Sequence, residues 1–216
     1  IIPCVINLMF FIAFFVRQWK DSLIKNEKLE KEKAQVQFDN LKNQLNPHFL
    51  FNALTSLNSL ISENQQLASA FLQQLSKVYR YLLQNKDRST VELTVELAFI
   101  QHYTSLLETR FGKALQILIR INEGDKGRSI VPVTLQILIE NAIKHNIVDP
   151  DKPLRIEITS DDQYLRVSNN LQVRSLVETS NKMGLENLKS LYSFLTTRPV
   201  IIEQLDDHFS VKVPLI

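Results

Sequence analysis

The sequence predicts an α+β protein in which a helical region is followed by a mixed α/β half. Up to residue 111, apolar residues recur every three or four positions, which is the period of helices. From residue 115 onward, several short runs alternate apolar and polar residues, which is the period of strands. The first glycine of the chain is Gly112. We therefore predict a boundary near residue 111, with a helical region at 21–111 and an α/β half at 112–216.

The composition indicates a globular chain with little charge bias. The 216 residues are 44% hydrophobic and 22% charged, and 25 basic residues stand against 23 acidic ones, for a net charge of +2. A dedicated nucleic-acid-binding protein usually carries a strong basic stripe, so this balance argues against nucleic acid as a partner. The single cysteine, Cys4, excludes an internal disulfide and a cysteine-cluster metal site.

Residues 1–16 form an apolar run that is followed at once by Arg17, Trp19 and Lys20. An aromatic and basic collar after an apolar run is typical of the cytoplasmic end of a membrane helix, and it places the rest of the chain in the cytoplasm. The run is shorter than the roughly 20 residues that span a bilayer, so we expect the helix to begin before Ile1. The alternative is a signal-peptide core, although no small-residue cleavage site follows. Residues 1–20 are thus predicted to be the end of a transmembrane helix.

Residues 21–45 are predicted to form one long charged helix. Glu27 and Lys31 have the i,i+4 order that stabilises helices. A narrow apolar seam then steps by four, three and four residues through Ala34, Phe38, Leu41 and Leu45. A seam this narrow suits a partner helix, so we predict a coiled coil with a second copy of the chain.

Two further helices are predicted to form a hairpin that turns at residues 62–64. Their apolar faces are Leu54, Leu57, Leu60 and Ile61 in the first helix, and Leu67, Phe71, Leu75, Val78 and Leu82 in the second. Two such hairpins make a four-helix bundle, which again indicates a homodimer. A polar link at 85–90 leads to a third helix, for which Thr94 is the predicted N-cap.

The α/β half begins with an alternating strand and a turn. A helix is predicted from near Pro132 to about Asn146, where proline suits the first turn. The other predicted elements are a strand at 115–121, a turn at 122–127, a hairpin of 154–158 with 165–167, a polar loop at 171–183, a helix at 184–195 and a closing hairpin of 200–205 with 209–213.

The most informative stretch lies where the long helix meets the hairpin, at Asn46-Pro47-His48-Phe49-Leu50-Phe51-Asn52. A proline inside a helix costs roughly 3 kcal/mol, because it removes one backbone hydrogen bond and crowds the carbonyl four residues back. One interpretation is a kink that presents the His48 imidazole to solvent as a nucleophile. The alternative is a kinked core helix with an incidental histidine.

A second polar group lies on the helix predicted at 132–146. Asn141, Lys144 and His145 share one helix face at offsets of three and four residues. An amide oxygen suits Mg²⁺ and an ammonium offsets phosphate charge, so this face predicts a magnesium–nucleotide site. The alternative is a polar helix end that faces solvent. A third feature is Gly184, where a loop enters a helix whose free N–H groups favour phosphate.

These motifs, in this order, resemble those of the LytS/YehU-type sensor histidine kinases. Asn46–Asn52 resembles their phosphoacceptor box, Ile139–Asn146 the N box of the ATP-binding fold shared with gyrase and MutL, and Gly184–Leu188 the second glycine box. The connecting segment and the last strand are also similar, through Val91, Leu93, Glu96, Leu97, Tyr103, Arg110, Phe111 and Gly112 and through Phe209–Ile216. The resemblance spans about residues 35–216.

The resemblance implies a helical dimerisation and phosphoacceptor region at 21–111 and a Bergerat-type α/β-sandwich ATP-binding domain at 112–216. It implies that His48 receives the phosphoryl group of ATP, that Asn52 orients His48 or a water, and that an aspartate of a response regulator then receives the phosphoryl group. ATP and Mg are the implied cofactors, with Asn141 on the metal. The implied nucleotide-binding residues are Asn141, Lys144, His145, Asn169, Gly184, Leu185 and Asn187. The implied location is the cell inner membrane, with the catalytic part in the cytoplasm.

The chain departs from the family pattern at two places. Asn169 stands where an aspartate of an Asp-x-Gly-x-Gly loop contacts the adenine amino group, so it would accept that hydrogen bond without charge. Lys182 stands where a glycine is usual in the second glycine box. These departures motivate a second hypothesis, a dimeric membrane scaffold that has lost catalysis. A third hypothesis is a different ATPase of the same fold that hydrolyses ATP for conformational work.

Overall fold

A computed structural model describes residues 12, 14–29, 31, 47–85, 87–173 and 182–216, without the side chains of residues 47, 48, 182 and 183. The chain divides into two compact units, residues 1–43 and 44–216. The predicted boundary near residue 111 lies inside the second unit, where this division does not test it, so it stays a prediction.

In the first unit, residues 14–29 form helix α1, whose described side chains are exposed. Lys31 Nζ lies 2.9 Å from Glu27 Oε1, so the predicted i,i+4 pair is confirmed. Because both side chains are exposed, the pair contributes little to stability. Among the described residues, no helix is long and apolar enough to cross a membrane. Most of the predicted membrane segment and the whole coiled-coil seam lie outside the described residues.

The second unit begins with the predicted hairpin, formed by helices α2 (Pro47–Glu63) and α3 (Gln65–Gln84). The kink that we predicted ahead of the proline lies outside the described residues. One residue, Asn64, joins the two helices and caps α3: its side chain accepts hydrogen bonds from the N–H groups of Gln66 at 3.1 Å and Leu67 at 3.0 Å. These bonds satisfy two of the N–H groups that a helix start leaves without partners.

The buried stripe of α3 follows the helical period, with one error in the prediction. Its buried residues are Ala68, Phe71, Leu75, Val78, Tyr81 and Leu82. Leu67, which we placed on this face, is 52% exposed, whereas Ala68 is buried. The small side chain of Ala68 takes the inward position at the start of the stripe, and Leu67 lies one residue, about 100°, around the helix from it.

Helix α4 (Leu93–Phe111) follows strand β1 (Val91–Glu92), which pairs with β3 (Ser129–Ile130). The prediction that Thr94 is the N-cap of this helix is wrong. The first N–H groups of α4, those of Leu93 and Thr94, donate instead to the carbonyls of Arg128 at 2.7 Å and Lys126 at 3.1 Å. A loop that is distant in sequence thus replaces the side-chain cap, and the Thr94 hydroxyl also donates to the Lys126 carbonyl, at 2.8 Å.

The α/β part is built on a five-stranded sheet with the order β2-β4-β5-β7-β6. The strands are β2 (Leu115–Arg120), β4 (Leu154–Ser160), β5 (Tyr164–Asn170), β6 (Ile201–Gln204) and β7 (His208–Pro214). β2 and β4 are parallel, and the other three pairs are antiparallel. The predicted strands and hairpins are therefore confirmed, and so is the α+β class.

Helix α5 (Thr134–His145) crosses over from β2 towards β4 and packs on one face of the sheet, and helix α6 (Lys182–Leu195) precedes β6. The inward residues of α5 recur at helical spacing, and those of β4 and β5 alternate along the strands. These buried residues are Leu135, Leu138, Ile139 and Ala142 on α5, with Leu154, Ile156, Ile158, Leu165 and Val167 on the strands. Their burial forms the core that fixes α5 on the sheet.

The predicted loop at 171–183 differs from the structure at both of its described ends. The N–H of Leu171 donates to the carbonyl of Asp207 at 2.9 Å, and Val173 forms an isolated antiparallel bridge with Asn146. At the other end, α6 is already helical at Lys182, two residues before the predicted start at Gly184. Residues 174–181 lie outside the described part of the chain.

Replacing the cap of α3 should destabilise the hairpin. We expect Asn64→Ala to lower the free energy of unfolding by about 1 kcal/mol, because two N–H groups lose their acceptor. Urea denaturation followed by circular dichroism measures the change. Asn58→Ala is the matched control at an exposed position inside α2, and it should be neutral or slightly stabilising because alanine favours helices. Equal losses in the two variants would contradict the capping role.

Gly112 joins α4 to the sheet with φ 53° and ψ −131°, a conformation that L-residues rarely adopt. A Cβ at this position would meet no heavy atom within 4 Å, so the cost of a side chain is conformational. We expect Gly112→Ala to lower the free energy of unfolding by roughly 1–3 kcal/mol. Gly124→Ala is the control, since its surroundings are equally open and its φ is not positive. Equal thermal unfolding of the two variants would contradict the predicted conformational cost of a side chain at Gly112.

Candidate functional site

The polar residues that we predicted on α5 lie on the part of the helix that the sheet does not cover. Asn141 and His145 are half-buried and Lys144 is exposed. Burial, and then the neighbouring charge of Lys144, lower the pKa of His145, which favours its neutral imidazole. This face therefore presents an amide, an ammonium and an imidazole within one and a half helical turns.

Asn169 lies on β5, on the same face of the sheet as Leu165 and Val167, the face on which α5 packs. Its side chain is buried, and its Nδ2 donates to the carbonyl of Asn170 at 2.8 Å. That bond uses one of the two N–H donors of the amide, whose oxygen is a hydrogen-bond acceptor. This is the role that the resemblance gives to the residue at this position.

The predicted residues of α6 lie within its first two turns. Gly184, Leu185 and Asn187 are half-buried, and a Cβ at Gly184 would meet no atom of the described residues within 4 Å. The N–H of Gly184 belongs to the first turn of α6, where N–H groups have no intrahelical acceptor. Both features fit the binding of a phosphate group.

His48 and Asn52 lie in the first two turns of α2, one turn apart. The residue after His48, Phe49, packs against Tyr103 of α4, with ring centroids 5.2 Å apart and planes tilted by 40°. The hydroxyl of Tyr103 donates to Glu140 Oε1 of α5 at 3.0 Å. The neighbour of His48 is therefore connected, through one buried tyrosine, to the neighbour of Asn141.

Glu140 is fixed from two sides. Besides the Tyr103 hydroxyl, the side-chain nitrogen of Gln136 donates to Glu140 Oε1 at 2.8 Å. Burial, and then the Glu140 carboxylate, raise the pKa of Tyr103 well above its ordinary value, so the phenol stays protonated and donates. No role for Glu140 is predicted from the sequence.

A buried carboxylate at the start of α5 is the main feature that the sequence analysis missed. Glu96 of α4 is 0% exposed. Its Oε2 accepts hydrogen bonds from the Tyr81 hydroxyl of α3 and from the N–H of Val133 at 3.1 Å, and its Oε1 accepts from the N–H of Leu135 at 3.2 Å. Glu96 falls within the apolar spacing of α4, between the buried Leu93 and Ile100, and this position was the available signal.

The residues at the start of α5 make further contacts around the Glu96 carboxylate. Val133 has φ 70°, a left-handed conformation that is unusual for a β-branched residue and that is stabilised here by the bond to Glu96. The Tyr192 hydroxyl of α6 accepts from the N–H of Val131 at 3.3 Å and lies 3.2 Å from the hydroxyl of Thr134. Helices α3, α4 and α6 thus all contribute side chains to the start of α5.

The opposite face of the sheet carries a groove of about 460 Å³. Its lining includes Arg155 and Arg166 but also Glu157 and Asp207, and of the predicted site residues it includes only Asn169. The groove therefore does not correspond to the predicted nucleotide site. Among the described residues, no group of three His, Cys, Asp or Glu side chains could hold a metal ion.

Comparisons with known proteins place these residues in context. Residues 36–115 match the histidine kinase family. An uncharacterized sensor-like histidine kinase of Staphylococcus epidermidis is 36% identical over 132 residues, which cover 61% of this chain and 25% of that protein. The sensor protein kinase HptS of Staphylococcus aureus is 35% identical over 141 residues, covering 65% of this chain and 27% of that protein. This chain is homologous to sensor histidine kinases.

The chain spans about a quarter of the length of these curated relatives. Among solved structures, the catalytic domain of histidine kinase ThkA aligns with a TM-score of 0.41 and 14% identity, covering 58% of this chain and 97% of that one. The cytoplasmic segment of histidine kinase QseC aligns with a TM-score of 0.41 and 13% identity, covering 60% and 80%. The family match and the curated relatives confirm the resemblance to sensor histidine kinases found in the sequence.

In this chain, Glu96 should make the free energy of unfolding depend on pH. Complete burial raises the pKa of its carboxyl from 4.5 to about 7, although the bonds from Tyr81, Val133 and Leu135 act in the opposite direction. The folded protein then keeps a proton that the unfolded chain releases, so stability falls as pH rises through the range between the two values. The difference corresponds to roughly 3 kcal/mol.

Glu96→Gln removes the titrating group, so denaturant unfolding at pH 5 and pH 8 tests this. We expect the stability of the wild type relative to Glu96→Gln to fall by roughly 3 kcal/mol between these pH values. Glu108→Gln, at an exposed position of the same helix, is the control and should keep the pH dependence of the wild type. A Glu96→Gln variant whose pH profile parallels that of the wild type would contradict the assignment.

Proposed function

We propose that this chain is the kinase part of a membrane-anchored sensor histidine kinase of a two-component system. It autophosphorylates His48 from ATP and passes the phosphoryl group to an aspartate of a response regulator. Residues 21–111 serve as the dimerisation and phosphoacceptor region and residues 112–216 as the ATP-binding domain. The residues before them anchor the chain in the cell inner membrane, with the catalytic part in the cytoplasm.

The observation that carries the proposal is the contact series between the two motifs. Phe49 follows His48 and packs on Tyr103, and Tyr103 donates to Glu140, the residue before Asn141. Phosphoryl transfer depends mainly on positioning and on charge neutralisation. A fold that connects the phosphoacceptor box to the N box through a single buried side chain supplies such positioning.

The described residues fit a Mg-ATP ligand. Asn141 offers an amide oxygen to the metal, and Lys144 and His145 lie on the same face for the phosphates. Asn169 offers its amide oxygen to the adenine amino group. Gly184, Leu185 and Asn187 present the first turns of α6 to the phosphates. Bound Mg-ATP supplies the phosphoryl group that is transferred.

His48 suits the acceptor role because a neutral imidazole has a ring nitrogen with a free electron pair. Its neutral ring nitrogen is the nucleophile that takes the phosphoryl group. Many other histidine kinases have an acidic residue directly after the histidine, and Phe49 takes that place here. Asn52 lies one helical turn further along α2, and its proposed role is to orient His48 or a water.

The exposed apolar side chains of the hairpin support a homodimer. Phe51 of α2 is 69% exposed and Leu83 of α3 is 63% exposed. Other large apolar residues of the two helices are more than 45% exposed: Leu54, Ile61, Leu67 and Leu72. Contiguous exposed apolar surface marks an interaction site, and a second hairpin would complete a four-helix bundle.

Incubation with γ-labelled ATP tests the proposed activity. We expect label on the wild type that is labile in acid and stable in base, as phosphohistidine is. His48→Gln should lose this label, because it removes the nucleophile. Asn141→Ala should lose it too and should weaken Mg-ATP binding more than about tenfold, or roughly 1.4 kcal/mol.

His102→Gln is the matched control, since His102 lies half-buried on α4 and has no role in the proposed reaction. Label that persists in His48→Gln would refute the phosphoacceptor assignment. A wild type without heat of binding at millimolar Mg-ATP would favour the scaffold hypothesis instead. Steady phosphate release without phosphohistidine would favour the ATPase hypothesis.

A further inference from the structure

Four aromatic rings form a continuous series across helices α2 and α3 of the hairpin and helix α4, which follows it. Tyr81 of α3 stacks on Phe99 of α4, with centroids 4.1 Å apart and planes 11° from parallel. Phe99 lies 6.2 Å from Tyr103, and Tyr103 lies 5.2 Å from Phe49 of α2. Contacts of this kind are directional as well as apolar, so they restrict how the three helices can rotate against one another.

The hydroxyl groups of both tyrosines in this series donate to carboxylates that lie on α5 or bind its first residues. The Tyr103 hydroxyl donates to Glu140, within α5. The Tyr81 hydroxyl donates to Glu96, which in turn accepts the N–H groups of Val133 and Leu135 at the start of α5. Helix α3 of the hairpin is therefore tied, through Glu96 of α4, to the start of α5, and α4 is joined to α5 a second time at Glu140.

A buried carboxylate is a costly way to pack two helices together. Apolar side chains of similar volume would fill the same space without the loss of hydration that an ionisable group suffers. Hydrogen bonds to a carboxylate add direction, because each donor must point at one oxygen. Tyr81 and Val133 both donate to Oε2 of Glu96, so the position of α3 is tied to the position of the first residues of α5.

We propose that Tyr81 and Glu96 are positioning residues that fix the orientation of the hairpin α2–α3 against α5. Neither is among the residues proposed to receive the phosphoryl group or to hold the nucleotide. Through this orientation they set the rate at which His48 is phosphorylated, a consequence that rests on the function proposed above. Loss of the Tyr81 hydroxyl frees α3 from the start of α5 while the aromatic packing of the ring remains.

The orientation is tested by a distance measurement that needs no activity. Spin labels at Gln73 of α3 and Lys152, both exposed, are introduced by cysteine substitution into a Cys4→Ser background, and labelled chains are mixed with an excess of unlabelled ones. We expect a narrow distance distribution in the otherwise wild-type chain. Tyr81→Phe and Glu96→Gln should each widen it at least twofold.

Tyr79→Phe is the matched control. It makes the same substitution two residues earlier on α3, where the tyrosine is half-buried and its hydroxyl makes no hydrogen bond with any residue that the structure describes. Its distance distribution should equal that of the wild type. A distribution in Tyr81→Phe that stays as narrow as that of the wild type overturns the proposal, whether or not the chain is a kinase.

The kinetic consequence is measured on the same variants without labels. Tyr81→Phe should slow the appearance of phosphohistidine roughly ten- to a hundredfold, because small displacements of reacting groups have large effects on rate. The dissociation constant of Mg-ATP should stay within about twofold of the wild type, which separates positioning from loss of the nucleotide site. Tyr79→Phe should keep the wild-type rate.

Two further outcomes are decisive. A widened distribution with an unchanged rate overturns the positioning role in phosphoryl transfer. A wild type that forms no phosphohistidine refutes the proposed function, and the distance measurement alone then upholds or overturns the orienting role of Tyr81 and Glu96.

Discussion

The second unit depends on one buried carboxylate and the donors that surround it. Glu96 has no contact with water, and its two oxygens accept three hydrogen bonds, from a phenol and two backbone N–H groups. Removal of a partner would leave a buried polar group without compensation, which costs more than the bond itself contributes. The positions of α3, α4 and the start of α5 are consequently linked, and Tyr192 brings α6 to the same place.

Helix α5, whose start is fixed in this way, has an apolar side that faces the sheet and a polar side that does not. Its apolar residues pack on the sheet, whereas Asn141, Lys144 and His145 lie on the side that the sheet leaves open. The far end of the helix is fixed as well: Asn146 Nδ2 donates to the carbonyl of Ala142 at 2.8 Å, and its Oδ1 accepts from the N–H of Gln172 at 2.7 Å. The helix proposed to hold the nucleotide is thus anchored at both ends, which preorganises its polar face.

The sequence was sufficient for features that local periodicity encodes, and insufficient for those that depend on distant partners. Helical and strand spacing predicted the hairpin and the sheet, and the turn at Asn64 carries its own capping side chain. The cap of α4 was missed because its acceptors, the carbonyls of Lys126 and Arg128, come from a loop far along the chain. The role of Glu96 was missed for the same reason, since its partners are 15, 37 and 39 residues away.

Asn169, which replaces the aspartate of the family pattern, shows how sequence and structure complement each other. From the sequence, the replacement of an aspartate by an amide removed a charge and left the direction of the amide open. In the structure, Asn169 is buried and its Nδ2 donates to the neighbouring carbonyl of Asn170. A neutral acceptor in a buried position avoids the desolvation of a charge that an aspartate there would suffer. Recognition of an amino group by hydrogen bonding alone is therefore compatible with this chain, at the expense of the charge-assisted part of the interaction.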